Sequence, residues 1–266
     1  MAPVQSFGVD APVSPTSQLV ATVITCVITV AALIPTLAFC ARRRTWWPLL
    51  VVVSGTVTFL LEPLYDHLYG LWFFVEGQWN AVVTYGIHVP VWLPIVYVAY
   101  YGCLTIFYWY RLERGATMRD LGLYFTISVI LAAAFELFYI NGVHLYAYQD
   151  RQPFMVFNYP LFVAVVNGVP PMLSAIVLFR LVPVLEGWSK LALLGVVPVS
   201  FAANSFGSGF LYLAARHSSN DPSMLLLSVT ALLAAAGSIG VIWAAGKLAG
   251  VGNTSTARAS GAVAVG

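Results

Sequence analysis

The chain alternates long apolar stretches with short polar connections. Seven stretches each hold about 20 or more predominantly apolar residues, the length that a helix needs to cross about 30 Å of hydrocarbon. They cover residues 18–40, 46–70, 86–110, 120–142, 158–181, 191–215 and 223–246. The pattern predicts an all-α membrane protein, a single seven-transmembrane helix bundle over residues 18–249.

Composition agrees with this pattern. The 266 residues are 60% hydrophobic and only 8% charged, which is too apolar for a soluble domain to hide in one core. We therefore expect a multi-pass protein of the cell membrane, surrounded by the lipid bilayer. The sequence contains no basic aromatic patch suited to nucleic acid, so no nucleic-acid partner is expected, and it does not indicate an oligomeric state.

Basic residues gather on one side of the predicted bundle. Of the 12 Lys and Arg residues, only Arg151 and Arg216 fall in connections on the other side. Because cytoplasmic loops carry the excess of Lys and Arg, the N-terminus is predicted outside and the C-terminus in the cytoplasm. Residues 1–17 then form an extracytoplasmic tail. Residues 250–266, small and polar without periodicity, are predicted to form a disordered cytoplasmic tail.

Two helix ends resemble each other. Residues 62–69 read EPLYDHLY in helix two, and residues 136–146 read ELFYINGVHLY in helix four. Each places a tyrosine three residues after a glutamate and later a His-Leu-Tyr. The following segments begin with His88-x-Pro90 and Asn158-x-Pro160, so the matches recur at offsets of 70 to 77 residues. The hypothesis is a repeated helix pair, and chance matching in an aromatic-rich chain is the alternative.

Acidic and amide side chains fall at one depth of the predicted membrane. Glu62 is about sixteen residues into helix two, about 24 Å from its inner end, and Glu136 has the same depth in helix four. Asn167 and Asn204 fall within a turn or two of that level. Placing a carboxylate in hydrocarbon costs several kcal/mol unless the group faces a cavity, has a hydrogen-bond or ionic partner, or takes up a proton. We predict an acid-lined pocket in the outer leaflet, with a structural hydrogen-bond clamp as the alternative.

The face of helix two around Glu62 is dense in polar groups. Tyr65, Asp66 and Tyr69 share this face. Glu62 and Asp66 would repel each other if both were ionised, so we expect the pair to share a proton, as a general acid requires. The catalytic candidates are Glu62, Glu136 and Asp66. For Asp66, a solvated helix end is the alternative.

Aromatic residues make up 14% of the chain, and interfacial belts explain most of them. Trp92, Tyr97, Tyr100 and Phe135 lie deeper than a belt needs and are expected to line a pocket. The aromatic-rich outer connections 71–85 and 143–157 are expected to form a lid. The candidate substrate-binding residues are Tyr65, Tyr69, Trp92, Tyr139, Asn167, Asn204, His67 and His144.

All four histidines lie at the outer ends of the segments. They lack the spacing of metal ligands, so we expect no metal and no cofactor. For each histidine, the alternative to a functional role is a structural role at the membrane interface. Proton relay to the glutamates is the functional hypothesis for His67 and His144.

The chain is similar to integral-membrane terpene cyclases of meroterpenoid pathways. The shared features are the seven helices, the glutamate near the outer end of helix two, the further buried acid, the many aromatics and the absence of a metal motif. The resemblance covers the architecture and the positions of Glu62 and Glu136. It implies that a buried carboxylic acid protonates an epoxide or alkene and starts a cyclisation. The acid that this family carries in a late helix has no counterpart, since no acid follows Asp221.

Three functions fit these features. The first is acid/base catalysis, a cyclisation or isomerisation, on a lipophilic, isoprenoid-like small-molecule substrate. The second is a proton- or cation-coupled small-molecule transporter, and the third is a non-catalytic structural or partner membrane subunit. A carrier must expose its site to both sides, yet the inner halves hold few polar residues, which favours a one-sided pocket. A continuous polar path from Glu62 towards Arg111 and Arg180 would reverse that preference.

Overall fold

The computed structural model describes residues 11–219 and 221–252. Within these ranges the chain has seven helices long and apolar enough to cross a membrane, as predicted. They are α1 (Pro15–Arg43), α2 (Trp47–Tyr69), α3 (Trp92–Glu113), α4 (Met118–Gly142), α5 (Leu161–Leu181), α6 (Gly187–Ser208) and α7 (Met224–Leu248), and a short helix, Phe210–Arg216, continues α6. The predicted tail 250–266 lies outside the described residues except for its first three positions.

The start of α1 differs from the predicted boundary at residue 18. The helix begins at Pro15, inside the predicted N-terminal tail, because the Ser14 side chain accepts a hydrogen bond from the Ser17 amide and proline is favoured in the first helical turn. Residues 1–10 of that tail lie outside the described residues.

Several helices change their winding next to the predicted polar layer. In α2, a 3₁₀ turn, Thr58–Leu61, ends directly before Glu62. In α4, a π-helical turn, Phe138–Gly142, begins two residues after Glu136. In α5, Asn167 is the last residue of the segment that precedes a break at Gly168. Further π-helical turns span Val98–Cys103 in α3 and Ala203–Ser208 in α6. Such irregular turns are frequent at functional sites because they re-aim side chains.

One end of the bundle carries β-strands, which the all-α prediction did not include. The described ranges contain the strands β1 (Leu71–Phe73), β2 (Asn80–Thr84), β3 (Ile87–Pro90), β4 (Tyr146–Tyr148), β5 (Met155–Val156) and β6 (Tyr159–Pro160). They pair antiparallel as β1 with β4, β2 with β3, and β5 with β6. We call this the hairpin end, and we call the opposite end, which carries Arg43, Arg114 and Arg180, the arginine end.

The predicted start of helix three at residue 86 is wrong. Tyr85 and Gly86 both have positive φ angles, 51° and 73°, as a two-residue hairpin turn between twisted strands requires. Strand β3 then follows with alternating burial before α3 begins at Trp92. A period of two was hidden inside an apolar run that also fits a helix.

The order of elements repeats. A helix, a strand, a hairpin and a second helix follow one another as α2, β1, β2–β3 and α3, and again as α4, β4, β5–β6 and α5. The equivalent strands β1 and β4 pair with each other in a symmetric register, with Trp72 opposite Ala147 and Leu71 opposite Tyr148. The similarity between residues 62–69 and 136–146 therefore extends to the fold and places Glu62 and Glu136 in equivalent positions.

Polar contacts fasten the hairpin end to the helices. The Gln152 side-chain amide donates to the Tyr69 carbonyl oxygen at 2.7 Å, and Arg216 forms an ion pair with Asp150 at 2.9 Å. Gly70 ends α2 with a φ of 71°, and a Cβ atom there would lie 2.0 Å from Nη2 of Arg216. Glycine adopts this backbone angle without steric cost, and any larger residue here would require the Arg216 guanidinium to move.

Candidate functional site

Glu62 and Glu136 face the same cavity. It has a volume of about 260 Å³ and lies among α1 to α5, under β1 and β4. Its polar lining consists of Glu62, Glu136, Asn167 and tyrosine hydroxyls, and the remaining lining is apolar. Four of the predicted site residues, Glu62, Glu136, Trp92 and Asn167, meet here.

Glu62 is fixed by the neighbouring helix of its own repeat. It is 9% exposed and begins the α-helical segment Glu62–Tyr69 after the 3₁₀ turn. The hydroxyl of Tyr97 on α3 donates a hydrogen bond to its Oε2 atom.

Glu136 receives two donors from different elements. The Tyr146 hydroxyl on β4 donates to its Oε2 atom at 2.9 Å, and Nδ2 of Asn167 on α5 donates to its Oε1 atom at 3.5 Å. The Tyr65 hydroxyl donates to Oδ1 of Asn167 at 2.9 Å, which orients the amide so that its NH₂ group faces Glu136. A hydrogen-bonded network thus joins Tyr65, Asn167, Glu136 and Tyr146.

The two glutamates have equivalent partners. Tyr97 follows Pro90 by the same distance as Asn167 follows Pro160, so each glutamate accepts a hydrogen bond from one position of the repeat. The repeat therefore builds both halves of the polar cavity wall.

Tyr146 lies on β4, outside the seven long apolar helices. Burial, followed by the nearby Glu136 carboxyl, raises the pKa of the Tyr146 hydroxyl well above its ordinary value. The hydroxyl consequently keeps its proton, and its capacity to donate to Glu136, at neutral and moderately alkaline pH.

Aromatic rings form much of the cavity wall. Trp92, Tyr97, Tyr100 and Phe135, which the sequence placed too deep for an interfacial belt, all line the cavity. Phe73 on β1 and Tyr146 on β4 also line it, so the predicted lid connections contribute to its cover. Ring faces can stabilise cationic species.

Asp66 occupies a different position from the glutamates. It is fully buried, so the interpretation of a solvated helix end is wrong, because strands β1 and β3 pack over the end of α2. The side chain is not part of the cavity lining. Neither carboxyl oxygen has a hydrogen-bond partner among the residues that the structure describes.

Three other predicted binding residues hold the bundle together outside the cavity. The Tyr69 hydroxyl donates to the Ser205 carbonyl oxygen at 2.8 Å. Tyr139 bonds to the Ala21 carbonyl oxygen at 3.2 Å and to the Thr25 hydroxyl. Asn204 donates to the Val166 carbonyl oxygen at 2.8 Å and accepts a hydrogen bond from Ser238 at 3.2 Å, which joins α5, α6 and α7.

The two predicted histidines do not reach the cavity. His67 and His144 are exposed at the hairpin end, and the ring of His67 packs edge-on against Trp72 with centroids 6.0 Å apart. Among the described residues, no three His, Cys, Asp or Glu side chains come together as metal ligands would.

Polar groups also lead from the cavity towards the arginine end. The Tyr100 hydroxyl lies 3.0 Å from the Ser128 carbonyl oxygen, and the Tyr108 hydroxyl lies 2.8 Å from Oγ of Ser128 and 3.1 Å from the Tyr124 carbonyl oxygen. Nε of Arg111 donates to the Tyr124 hydroxyl at 2.8 Å. The series is interrupted at two backbone carbonyls, which carry no proton to pass on.

The predicted site residues did not include Tyr97 and Tyr146 as partners of the glutamates. Tyr146 ends the His-Leu-Tyr of the second copy, so the repeat contained a signal for it. The signal for Tyr97 was its depth, and its pairing with Glu62 depends on contact between two helices.

Comparisons with family models, with curated proteins and with solved structures find no match to this chain.

Proposed function

We propose that the chain is a membrane-embedded enzyme that performs acid/base catalysis, a cyclisation or isomerisation, on a lipophilic, isoprenoid-like small molecule. The observation that supports this proposal is the meeting of Glu62 and Glu136 at one largely apolar, aromatic-lined cavity. In this proposal the protein is a multi-pass protein of the cell membrane, with the hairpin end outside and the arginine end in the cytoplasm, as the distribution of Lys and Arg indicates.

Two carboxyl groups at one apolar cavity will not both be charged, because each uncompensated charge there costs several kcal/mol. Glu136 accepts two hydrogen bonds on different oxygens, whereas Glu62 accepts one from Tyr97. Donors to a carboxylate stabilise its charged form. We therefore assign the charged base to Glu136 and the proton-donating acid to Glu62.

The reaction follows from these roles. Glu62 gives its proton to an epoxide oxygen or an alkene carbon, which leaves positive charge on a substrate carbon. The substrate's own double bond attacks that carbon in a cyclisation, and Glu136 then removes a proton from a neighbouring carbon. The substrate gains one proton and loses one, and the proton taken up by Glu136 must return to Glu62 before the next turnover. Trp92 and Phe135 line the cavity in which this cation would form, and aromatic ring faces can stabilise a cation.

A proton-coupled carrier is the second candidate, and the polar series from Tyr100 to Arg111 favours it. A carrier needs a path that protons or cations can follow to both sides. The two carbonyl interruptions argue against proton transfer along this series, so the enzyme remains our first proposal.

Lipid-phase metabolite profiling of cells that express the wild type, Glu62→Gln or Glu136→Gln tests the proposal. We expect one lipophilic product to disappear in both variants, since glutamine keeps the shape but cannot exchange the proton. Glu113→Gln, a carboxyl on α3 outside the cavity lining, is the matched control and should keep the product. Unchanged profiles in all variants, together with proton-dependent uptake that Glu62→Gln and Glu136→Gln lose, would establish the carrier instead.

A further inference from the structure

Two residues of the cavity lining, one on α1 and one on α4, are also widely exposed. Ile28 on α1 and Leu131 on α4 both line the cavity, and they are 44% and 45% exposed. A residue that contacts a cavity and is also widely exposed marks a place where the cavity wall is thin. Both residues lie within apolar helices long enough to cross a membrane, so this wall faces the hydrocarbon of the proposed bilayer.

Among the described residues, no hydrogen bond between α1 and α4 crosses the thin wall itself. Towards the hairpin end, α4 is tied to α1 by Tyr139 through Ala21 and Thr25. Towards the arginine end, α4 is tied to α3 by Ser128 through the Tyr108 hydroxyl. Among the described residues, hydrogen bonds between α1 and α4 are confined to Tyr139. The stretch of α4 between the two ties is about 16 Å long at 1.5 Å per residue.

Small side chains accompany the two exposed residues. Ala32 lies one turn after Ile28 on α1, Ala132 follows Leu131 on α4, and both alanines line the same cavity. The polar groups Glu62, Glu136 and Asn167 line that cavity as well. α1 itself packs on α3, where the Thr29 hydroxyl donates to the Ile95 carbonyl oxygen at 2.8 Å. The place is therefore flanked by the hydrogen bonds of Tyr139, Ser128 and Thr29, and its lining includes two alanines.

We propose that Ile28, Ala32, Leu131 and Ala132 form a lateral portal through which a hydrocarbon-chain substrate enters from the bilayer, with its reactive end leading to the glutamates. The inference rests on the proposed function, because it assigns the route of that enzyme's substrate. A portal of this kind also restricts the shape of the substrate. The part of the molecule inside the portal must be narrow and apolar, and the oxygen or alkene that reacts must lie at or near the leading end.

Photolabelling of the purified full chain in lipid nanodiscs tests the portal. The probe is a long-chain alkyl alcohol that carries a diazirine near its hydroxyl, and mass spectrometry locates the label. We expect label on the cavity residues Trp92 and Phe135 in the wild type. Ala32→Phe and Ala132→Phe should lower this cavity label about tenfold, the change expected when a ring must be displaced from close-packed space. Label on the exposed Leu233 of α7 should be unchanged.

The chain offers matched controls on the same helices. Ala31 and Ala134 are exposed, so Ala31→Phe and Ala134→Phe add the same ring outside the portal and should leave cavity labelling as in the wild type. Cavity labelling that persists in both Ala32→Phe and Ala132→Phe would overturn the portal.

A reversible plug covers the case in which the phenylalanine variants do not fold. Leu131→Cys, in a chain whose Cys26, Cys40 and Cys103 are alanine, can be modified after folding with a benzyl disulfide-forming reagent. Cavity labelling should fall when Leu131→Cys is modified and return when reductant removes the modification. Labelling that stays unchanged on modification would overturn the proposed portal. Cavity labelling of the wild type that the phenylalanine variants block, together with an unchanged metabolite profile of Glu62→Gln, would reject the catalytic function and retain the route.

Discussion

Asp66 is buried although its helix ends three residues later, at Tyr69. The helix-end position suggested solvent, but burial depends on β1 and β3, which arrive from later in the chain. Its two oxygens have no hydrogen-bond partner among the described residues, and a charged carboxylate without partners would cost several kcal/mol. Depth along one helix could be predicted from the sequence, whereas the cover over a helix end could not.

At the same scale, Tyr146→Phe tests the partner of Glu136. The change removes the hydroxyl that donates to Oε2 at 2.9 Å and keeps the ring that lines the cavity. A hydrogen bond to a charged group contributes about 1.5–3 kcal/mol, so we expect the proposed product to form at least about tenfold more slowly. The readout is the initial rate of product formation in isolated membranes, normalised to protein amount.

Tyr148→Phe is the control for this prediction. Tyr148 lies two residues along the same strand and is also buried, and its hydroxyl has no hydrogen-bond partner among the described residues. Its loss should leave the rate near that of the wild type. Equal rates in Tyr146→Phe and the wild type would remove Tyr146 from the site.

Among the elements, long apolar runs determined the helices well. The number and order of the helices agree, and most boundaries agree within about three residues, because only a helix satisfies its own backbone groups over so long an apolar stretch. The strands have two to five residues, and β1 pairs with a strand some 75 positions later. Such pairings leave no local period. Hence the predicted lid connections were identified, but their strands were not.

The contact between α2 and α3 yields a prediction at this scale. A Cβ atom on Gly55 would lie 2.4 Å from the Gly102 amide nitrogen and 2.8 Å from the Tyr101 carbonyl carbon. Gly55→Ala must therefore push α3 away from α2 and shift Tyr97 relative to Glu62. Forced overpacking costs about 1–3 kcal/mol, and we expect a lower thermal unfolding midpoint in detergent together with a loss of product.

Gly240→Ala provides the comparison, since a Cβ atom there would meet nothing within 4 Å. Alanine is favoured over glycine in a helix interior by about 1 kcal/mol, so this variant should be as stable as the wild type or more stable. If Gly55→Ala unfolds at the wild-type temperature, the close approach of α2 and α3 is not required.

Over the whole molecule, the two ends of the bundle differ in their structure and in their basic residues. The strands, the exposed histidines and the cover of the cavity lie at the hairpin end, whereas Arg43, Arg114 and Arg180 lie at the other. The repeat of helix, strand, hairpin and helix places both glutamates on the same side of the bundle. Two acids at matched depth were predictable because the sequence repeats. Their convergence on one cavity depends on the pairing of β1 with β4.

This difference predicts which end meets the cell exterior. In a chain whose Cys26, Cys40 and Cys103 are replaced by alanine, Val83→Cys places one thiol at the hairpin end, on β2. Trp188→Cys places one near the beginning of α6, at the arginine end. Both native side chains are exposed, at 52% and 85%, so both thiols are accessible to reagent. A membrane-impermeant maleimide applied to intact cells should modify Val83→Cys and leave Trp188→Cys unmodified until the membrane is permeabilised. The reverse pattern would contradict the orientation drawn from the Lys and Arg residues. It would place the cavity towards the cytoplasmic leaflet, although the portal between α1 and α4 would still face lipid.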